Sequence, residues 1–137
     1  MQLLVVGLAL GSLAGCGGSN LSVAPVSGTV TLNGQPLADA VVMFEPMDSS
    51  GTNTPTSNGR TDGQGHYVLS IPVTNDKGAV LGKHLVRIMA AKTDKPSSDD
   101  SMTKIEEPVP AKYNAKSELT FEVKPGGSDK ADFALTK

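Results

Sequence analysis

Short stretches in which hydrophobic and polar residues alternate recur along the chain. In residues 26–32 (VSGTVTL) every second residue is Ser or Thr and would lie on one face. The opposite face would hold Val26, Gly28, Val30 and Leu32. A period of two residues with many β-branched side chains is typical of a half-buried β-strand. No stretch has a sustained helical period. The alternation predicts about seven strands, at residues 26–32, 40–45, 59–62, 67–71, 83–90, 119–123 and 129–135.

Turn-forming residues separate these strands. Asn33-Gly34 is the strongest two-residue hairpin signal in the chain, because both residues tolerate a positive φ. A second turn lies within residues 59–69, where we expect Gly63 and Gly65 to supply positive φ and Asp62 to cap the turn. Two longer polar stretches, 48–58 and 92–107, predict surface loops, and the second is expected to be mobile. Together these patterns predict an all-β protein with a Greek-key β-sandwich.

The inward faces of the strands predict the core. In residues 83–90 the charge of Arg87 assigns the set with Leu85 and Met89 to water. The other set, His84, Val86 and Ile88, is therefore assigned to the core. Aromatic residues make up only 4% of the chain and tryptophan is absent, so Val, Leu, Ile and Ala must fill most of the interior. The core residues that we single out are Val30, Phe44, Tyr67, Leu69, Val86, Ile88, Phe121 and Phe133.

Net charge narrows the range of partners. The chain carries a formal net charge of -2, and its basic residues form no stripe. Nucleic-acid binding usually needs a clustered basic face, so we expect no nucleic-acid partner. The single cysteine, Cys16, cannot form an internal disulfide.

Cys16 follows an apolar N-terminal segment. Residues 3–10 (LLVVGLAL) are uncharged and too few to span a bilayer, which is typical of the hydrophobic region of a signal peptide. The tetrad LAGC at 13–16 resembles a bacterial lipobox, whose cysteine is lipidated and becomes the mature N-terminus. An ordinary signal peptide with a chance cysteine is the alternative. The basic residues that usually precede the apolar segment are missing, so either the true start lies upstream or the amino terminus alone supplies the charge.

The lipobox implies a division of the chain and a location. We expect a lipoprotein signal peptide at residues 1–15, a lipidated cysteine and flexible tether at 16–25, and one domain at 26–137. Acyl chains on Cys16 would hold the exported protein on a bacterial membrane. Gly17 stands where an Asp would signal retention at the inner membrane, so the resemblance favours the outer membrane, on its periplasmic or surface face.

Several motifs of the domain resemble those of a known family. Residues 26–44 (VSGTVTLNGQPLADAVVMF) are similar to the opening of carboxypeptidase regulatory-like domains, which have a transthyretin-like, prealbumin-type Greek-key sandwich. One position departs from the family pattern: this chain has His84 where the family usually carries an aromatic residue such as tyrosine. The resemblance implies a short bacterial lipoprotein made of this domain alone. It continues in GRTDGQGHY (59–67), GKHLVRI (82–88), PAKY (110–113), LTFEVKPG (119–126) and DFAL (132–135).

The chain lacks the residues that the related enzymatic functions need. Carboxypeptidase catalysis needs a zinc site, but His66 and His84 are the only histidines and belong to a turn and a core-facing strand. Hydroxyisourate hydrolases end in Tyr-Arg-Gly-Ser, whereas this chain ends in FALTK. Adhesins with an internal isopeptide use a lysine on the first strand, and no lysine precedes Lys77. No acidic stretch has calcium-loop spacing, and no Ser or Thr has a recognisable histidine partner.

We therefore expect no catalytic site, no cofactor and no metal. The favoured interpretation is a non-enzymatic, lipid-anchored envelope protein that acts as a structural or protein-interaction module. Its partners would be the membrane, through Cys16, and an envelope protein of unknown identity. The alternative is a carbohydrate- or peptide-binding module that uses the loop ends of the sandwich. Tyr113 is the one aromatic candidate for such a site, and we expect it to be packed, with its hydroxyl on backbone.

Overall fold

The computed structural model describes residues 21–47, 54–90, 92–93 and 105–137. The predicted signal peptide, Cys16 and residues 17–20 of the tether lie outside the described residues, as do residues 48–53 of the first predicted loop and 94–104 of the second. Among the described residues no helix is long and apolar enough to cross a bilayer. The predictions for export and lipidation therefore stay predictions.

The described chain is all-β, which confirms the predicted class. Apart from one 3-10 turn at Ala111–Tyr113, its regular structure is short strands. The strands are β1 Val23–Ala24, β2 Ser27–Leu32, β3 Gln35–Pro36, β4 Val41–Pro46, β5 Ser57–Arg60, β6 His66–Val68, β7 Ser70–Ile71, β8 Asp76–Lys77, β9 Ala79–Val80, β10 Gly82–Met89, β11 Lys92–Thr93, β12 Ile105–Glu106, β13 Thr120–Val123 and β14 Phe133–Leu135.

The larger sheet is antiparallel and has the order β13-β10-β4-β5-β7-β8. Its longest strand is β10, whose register pairs Val86 with Phe44 of β4 and His84 with Phe121 of β13. Inward positions of β10 and β4 are buried and alternate with half-buried ones, as the period of two predicts. Pro46 ends β4 because proline has no N–H for the ladder.

The second sheet is built around β2. β14 pairs with β2 in parallel, and β6 and β3 pair with it in antiparallel fashion. The faces of the two sheets enclose one hydrophobic cluster, an arrangement that is consistent with a β-sandwich. Of the residues singled out for the core, Phe121 and Phe133 are half-buried and pack against that cluster. The others are buried, namely Val30, Phe44, Tyr67, Leu69, Val86 and Ile88.

The predicted strand at 67–71 is divided between the two sheets. We expected it to pair back with residues 59–62, but β6 pairs with β2 and only β7 pairs with β5. Between them, Leu69 donates its N–H to the carbonyl of Val26 at 2.9 Å. Tyr67, Leu69 and Ile71 stay buried throughout. Alternation reports which face is buried and carries no information about the pairing partner, which is why the prediction was wrong here.

Several segments that we expected to be irregular or flexible carry short strands. In the predicted flexible tether, Val23–Ala24 forms β1 and pairs with β9. Gln35–Pro36 forms β3 after the Asn33-Gly34 turn and pairs with the end of β2. The polar stretch at 92–107 contains β11 and β12, which pair with each other. These strands are two residues long, so their alternation cannot be recognised in the sequence.

The strand directions define two ends of the sandwich. At the tether end, β2 and β10 begin, β4 finishes at Pro46, and β1 pairs with β9 where the chain enters the domain. At the far end lie the turns at 33–34 and 61–65, the end of β10, residues 107–117 and the C-terminal residues. The chain therefore enters the domain at the tether end, and its C-terminal residues lie at the far end.

Candidate functional site

A groove of about 280 Å³ lies on the outer face of the larger sheet near the far end. Because Val86 and Ile88 of β10 point into the core, Arg87 and Met89 project from the opposite face. Residues 107–117 run beside β10 and complete the walls. The lining residues are Arg87, Met89, Glu107, Asn114 and Ala115.

Arg87 is held in the wall of the groove. Its Nε donates to Oε1 of Glu45 on the neighbouring strand at 3.0 Å, and its Nη1 donates to the carbonyl oxygen of Asn114. Arg87 lies on the outward face, as expected, but its side chain is only 27% exposed because its neighbours partly cover it. Its long aliphatic stem lies along the sheet while the guanidinium finds both a carboxylate and a carbonyl close by. Glu45 balances the charge of Arg87, so the groove is not a strong anion site.

Residues 107–117 are fixed to β10 by side-chain hydrogen bonds. Oε1 of Glu107 accepts from the backbone N–H of Ala90 at 2.9 Å and from that of Val109 at 3.0 Å. Asn114 donates from Nδ2 to the carbonyl of Val109 at 3.2 Å, and the Ser117 hydroxyl donates to a carbonyl of β10. The second wall is therefore built before any ligand arrives, which reduces the entropy lost on binding.

The chemistry of the groove suits an apolar side chain carried on a polar backbone. Met89 and Ala115 present apolar surface, and Met is a flexible side chain that adapts to irregular partners. Arg87 and Glu107 place charged groups at the rim of this surface. Ligand sites in proteins commonly combine an apolar lining with a few polar groups that set orientation.

The predicted turn residues at the far end divide into two kinds. Asn33 and Gly34 have φ of 51° and 81°, so both central residues of this hairpin are left-handed, as a type I′ turn requires. Gly65 also has a positive φ, of 76°. Gly63 does not, and a Cβ built there meets nothing within 4 Å. Our expectation of positive φ at Gly63 was wrong, because the turn needs only its last residue in the left-handed region.

Asp62 caps this turn. Its Oδ1 accepts from the backbone N–H of Gln64 at 2.9 Å and from that of His66 at 3.0 Å. These two hydrogen bonds favour the carboxylate and hold the pKa of Asp62 below its ordinary value of 3.8. Asp62 is exposed and faces no second functional group of the groove, so its role here is to shape the turn.

Acid should weaken the contribution of this cap. Because the pKa of Asp62 is lower in the folded protein, its stabilisation is complete above 3.8 and is lost as pH falls through the folded value. We expect Asp62→Ala to lower the free energy of unfolding at neutral pH, and the gap to the wild type to shrink as pH falls from about 6 to about 2. Urea unfolding across this range measures it. Asp129→Ala at the tether end is the control, and a gap that stays constant with pH would contradict the assignment.

The two histidines lie in different environments. His66 is exposed in the turn, whereas His84 is buried and its Nε2 lies 2.7 Å from the carbonyl oxygen of Val80. Nδ1 of His84 has no hydrogen-bond partner within the described residues. In this same part of the chain, no group of three His, Cys, Asp or Glu residues is arranged to hold a metal ion.

Tyr113 is half-buried at the far end, and its hydroxyl is engaged. The backbone N–H of Thr136 donates to this hydroxyl at 3.1 Å, and Oγ1 of Thr136 lies 3.3 Å from it. These hydrogen bonds lower the pKa of Tyr113. Nζ of Lys112 lies 5.0 Å from the ring centroid. Tyr113 thus links the 3-10 turn to Thr136, directly after β14, and offers no open aromatic platform.

A second hollow, of about 250 Å³, lies at the tether end. It is lined by Pro25, directly after β1, by Ser27, the first residue of β2, and by residues Gly126, Gly127, Ser128 and Asp129. Ser128 donates its N–H to the carbonyl of Pro25 at 2.9 Å, which fastens this turn to the incoming chain. The hollow is thus part of the place where the chain enters the domain, and it holds no charged side chain other than Asp129.

Comparison of the chain with protein-family models, with curated proteins and with solved structures finds no match.

Proposed function

We propose that the protein is a non-enzymatic, lipid-anchored module of the bacterial envelope that binds a protein partner through the groove at its far end. Its domain, at residues 26–137, would be a transthyretin-like Greek-key sandwich of the carboxypeptidase regulatory-like type. The motifs at 26–44 and 59–67 support this assignment, as does the all-β structure. The lipobox-like LAGC at 13–16 supports the anchor.

The observation that carries the proposal is the groove between β10 and residues 107–117. It combines apolar surface from Met89 and Ala115 with a wall that Glu107 and Arg87 hold in place. It lies near the end of the sandwich that is remote from the entering tether. A partner bound there would approach from the side away from the anchored cysteine.

An extended peptide segment of a partner fits this groove better than a carbohydrate. Sugar-binding sites usually stack the sugar ring on an exposed aromatic side chain. All five aromatic residues of the chain are buried or half-buried, and the hydroxyl of Tyr113 is already bonded to Thr136. An apolar side chain of a peptide would instead contact Met89, while its backbone would meet the polar rim.

Photo-crosslinking in intact cells tests the proposed interaction. A photoreactive residue at Ala115, which is exposed beside the groove, is expected to capture one protein of defined mass. The same residue at Ala134, exposed on the second sheet, is the matched control and should capture none. Met89→Asp places a charge on the apolar surface and should abolish the capture at Ala115. Equal capture at both positions, or capture that survives Met89→Asp, would refute the groove as the binding site.

Metabolic labelling with palmitate tests the anchor. Because Cys16 is the single cysteine, we expect all label on this protein to depend on it. Cys16→Ser should remove the label and release the protein from the membrane fraction, since two or more acyl chains are needed for stable attachment. Ser12→Ala, in the same segment, keeps the cysteine and is the control. Unchanged labelling in Cys16→Ser would overturn the lipobox assignment.

A further inference from the structure

The tether end of the sandwich exposes large apolar side chains at its tips. Val73, in the turn between β7 and β8, is 81% exposed, and Met47, directly after β4, is 49% exposed. Within the described part of the chain the other exposed large apolar residue is Val68, the last residue of β6, which pairs with Ser27 at the start of β2 and so also lies toward the tether end. Val73 and Met47 both lie on turns at the end where the chain enters the domain, so their apolar side chains are available to a surface that faces this end.

The length of the tether limits which end can face a membrane. Six residue steps (22 minus 16) separate Cys16 from Ser22, whose carbonyl accepts from Leu81 at the tether end. Six extended residues reach at most about 20 Å. β10 has eight residues and spans roughly 25 Å between the two ends. With Cys16 in the bilayer, this tether cannot reach around the domain, so the tether end is the one held closest to the lipid.

The charges of the tether end are nearly balanced. Its exposed lysines are opposed by almost as many exposed carboxylates, and Lys83 stands directly across from Glu122 in the sheet. Attraction to anionic headgroups would therefore be weak, and apolar contact is the stronger reason for this end to meet the bilayer. The residues concerned are Lys77, Lys83, Lys124 and Lys130 with Asp76, Glu122 and Asp129.

We infer that the tether end is a lipid-contacting surface. Val73 and Met47 enter the interface of the bilayer and hold the sandwich upright, with the groove pointing away from the membrane. The inference rests on the proposed lipid anchor at Cys16 and adds to it a second, non-covalent contact that sets the orientation of the domain. The groove near Met89 is then presented to partners at a height of about one strand length above the lipid.

Fluorescence quenching in vesicles tests this orientation. The lipidated full chain would be reconstituted into vesicles of phosphatidylethanolamine and phosphatidylglycerol that carry a lipid-borne quencher. Acylation blocks Cys16, so Val73→Cys offers one free thiol for an environment-sensitive dye. Gly63→Cys is the matched control, because Gly63 is exposed at the far end with open space around its Cα. We expect quenching at position 73 to exceed that at position 63 by about twofold or more, independent of salt.

A longer tether separates apolar contact from simple tethering. Adding about ten Gly and Ser residues after Asn20 frees the domain to drift from the surface unless its own residues hold it. We expect the quenching ratio to persist in this variant, measured with the dye on Thr74→Cys, and to fall to about one when Val73→Asp and Met47→Asp are added. A ratio near one without these substitutions, or one that they leave unchanged, would overturn the inference. Loss of vesicle binding by the whole lipidated chain would instead contradict the proposed anchor.

Discussion

Replacing Gly65 with alanine is expected to lower the free energy of unfolding by about 2–4 kcal/mol, whereas the same change at Gly63 should cost less than about 1 kcal/mol. The two glycines are two residues apart in one turn, and both are replaced by the same small side chain. A difference between their free energies of unfolding therefore reports backbone conformation and local space, because the change in hydrophobicity and in intrinsic propensity is the same in both variants.

Two independent effects act at Gly65. Its φ of 76° is a conformation that residues with a Cβ rarely adopt, so alanine would strain the backbone. A Cβ would also lie 2.4 Å from the carbonyl oxygen of Val30. That oxygen cannot move freely, because it accepts from the N–H of Leu37 at 3.0 Å. Gly65 in turn accepts from Val30, so the strain would spread into β2.

Urea unfolding followed by tyrosine fluorescence measures both variants, since the chain has no tryptophan. Gly63→Ala should unfold close to the wild type, because it has ordinary φ and no heavy atom within 4 Å of its Cβ position. If Gly65→Ala and Gly63→Ala had equal midpoints, the left-handed conformation of Gly65 would be excluded. Gly65→Asn offers a further check, because Asn tolerates this region better than Ala but meets the same steric contact.

The sequence predicts the buried faces well because alternation is a local property. In β10 it separates the buried His84, Val86 and Ile88 from the half-buried residues between them. The Asn33-Gly34 hairpin is equally local, since its geometry follows from the conformational freedom of two adjacent residues. The all-β class follows from adding such signals along the chain.

The groove could not be predicted, because it depends on contacts between distant residues. Arg87 meets Glu45 across the sheet and Asn114 across a connection, and neither spacing leaves a periodic signal. Glu107 belongs to a polar stretch that we interpreted as a mobile loop, yet it anchors the end of β10. A carboxylate beside a proline in such a stretch has no feature that distinguishes an anchor from a solvated charge.

Composition also conceals how the core is assembled. With few aromatic residues the interior was expected to be mostly aliphatic, and most buried residues are indeed Val, Ala, Leu and Ile. The three phenylalanines of the chain nevertheless meet in one cluster. Each comes from a different strand, and together they connect the larger sheet to the sheet around β2.

Phe44 is the centre of that cluster and its replacement should be among the most damaging in the domain. Its ring centroid lies 5.5 Å from that of Phe121, 6.2 Å from that of Phe133 and 5.6 Å from the ring of His84. Phe44 is fully buried, while the two other phenylalanines are half-buried. We expect Phe44→Ala to lower the free energy of unfolding by about 3–5 kcal/mol, through lost burial and an unfilled cavity.

The ranking of four variants tests this central role. Phe133→Ala should cost clearly less than Phe44→Ala, because part of its surface already faces water, and Val68→Ala should cost no more than about 0.5 kcal/mol. If Phe44→Ala does not fold, Phe44→Leu keeps most of the volume and is expected to lose roughly 1–2 kcal/mol. Urea unfolding of each variant supplies the order. A loss for Phe44→Leu no greater than that for Val68→Ala would contradict a cluster centred on Phe44, because Val68 is 53% exposed and contributes little to the interior.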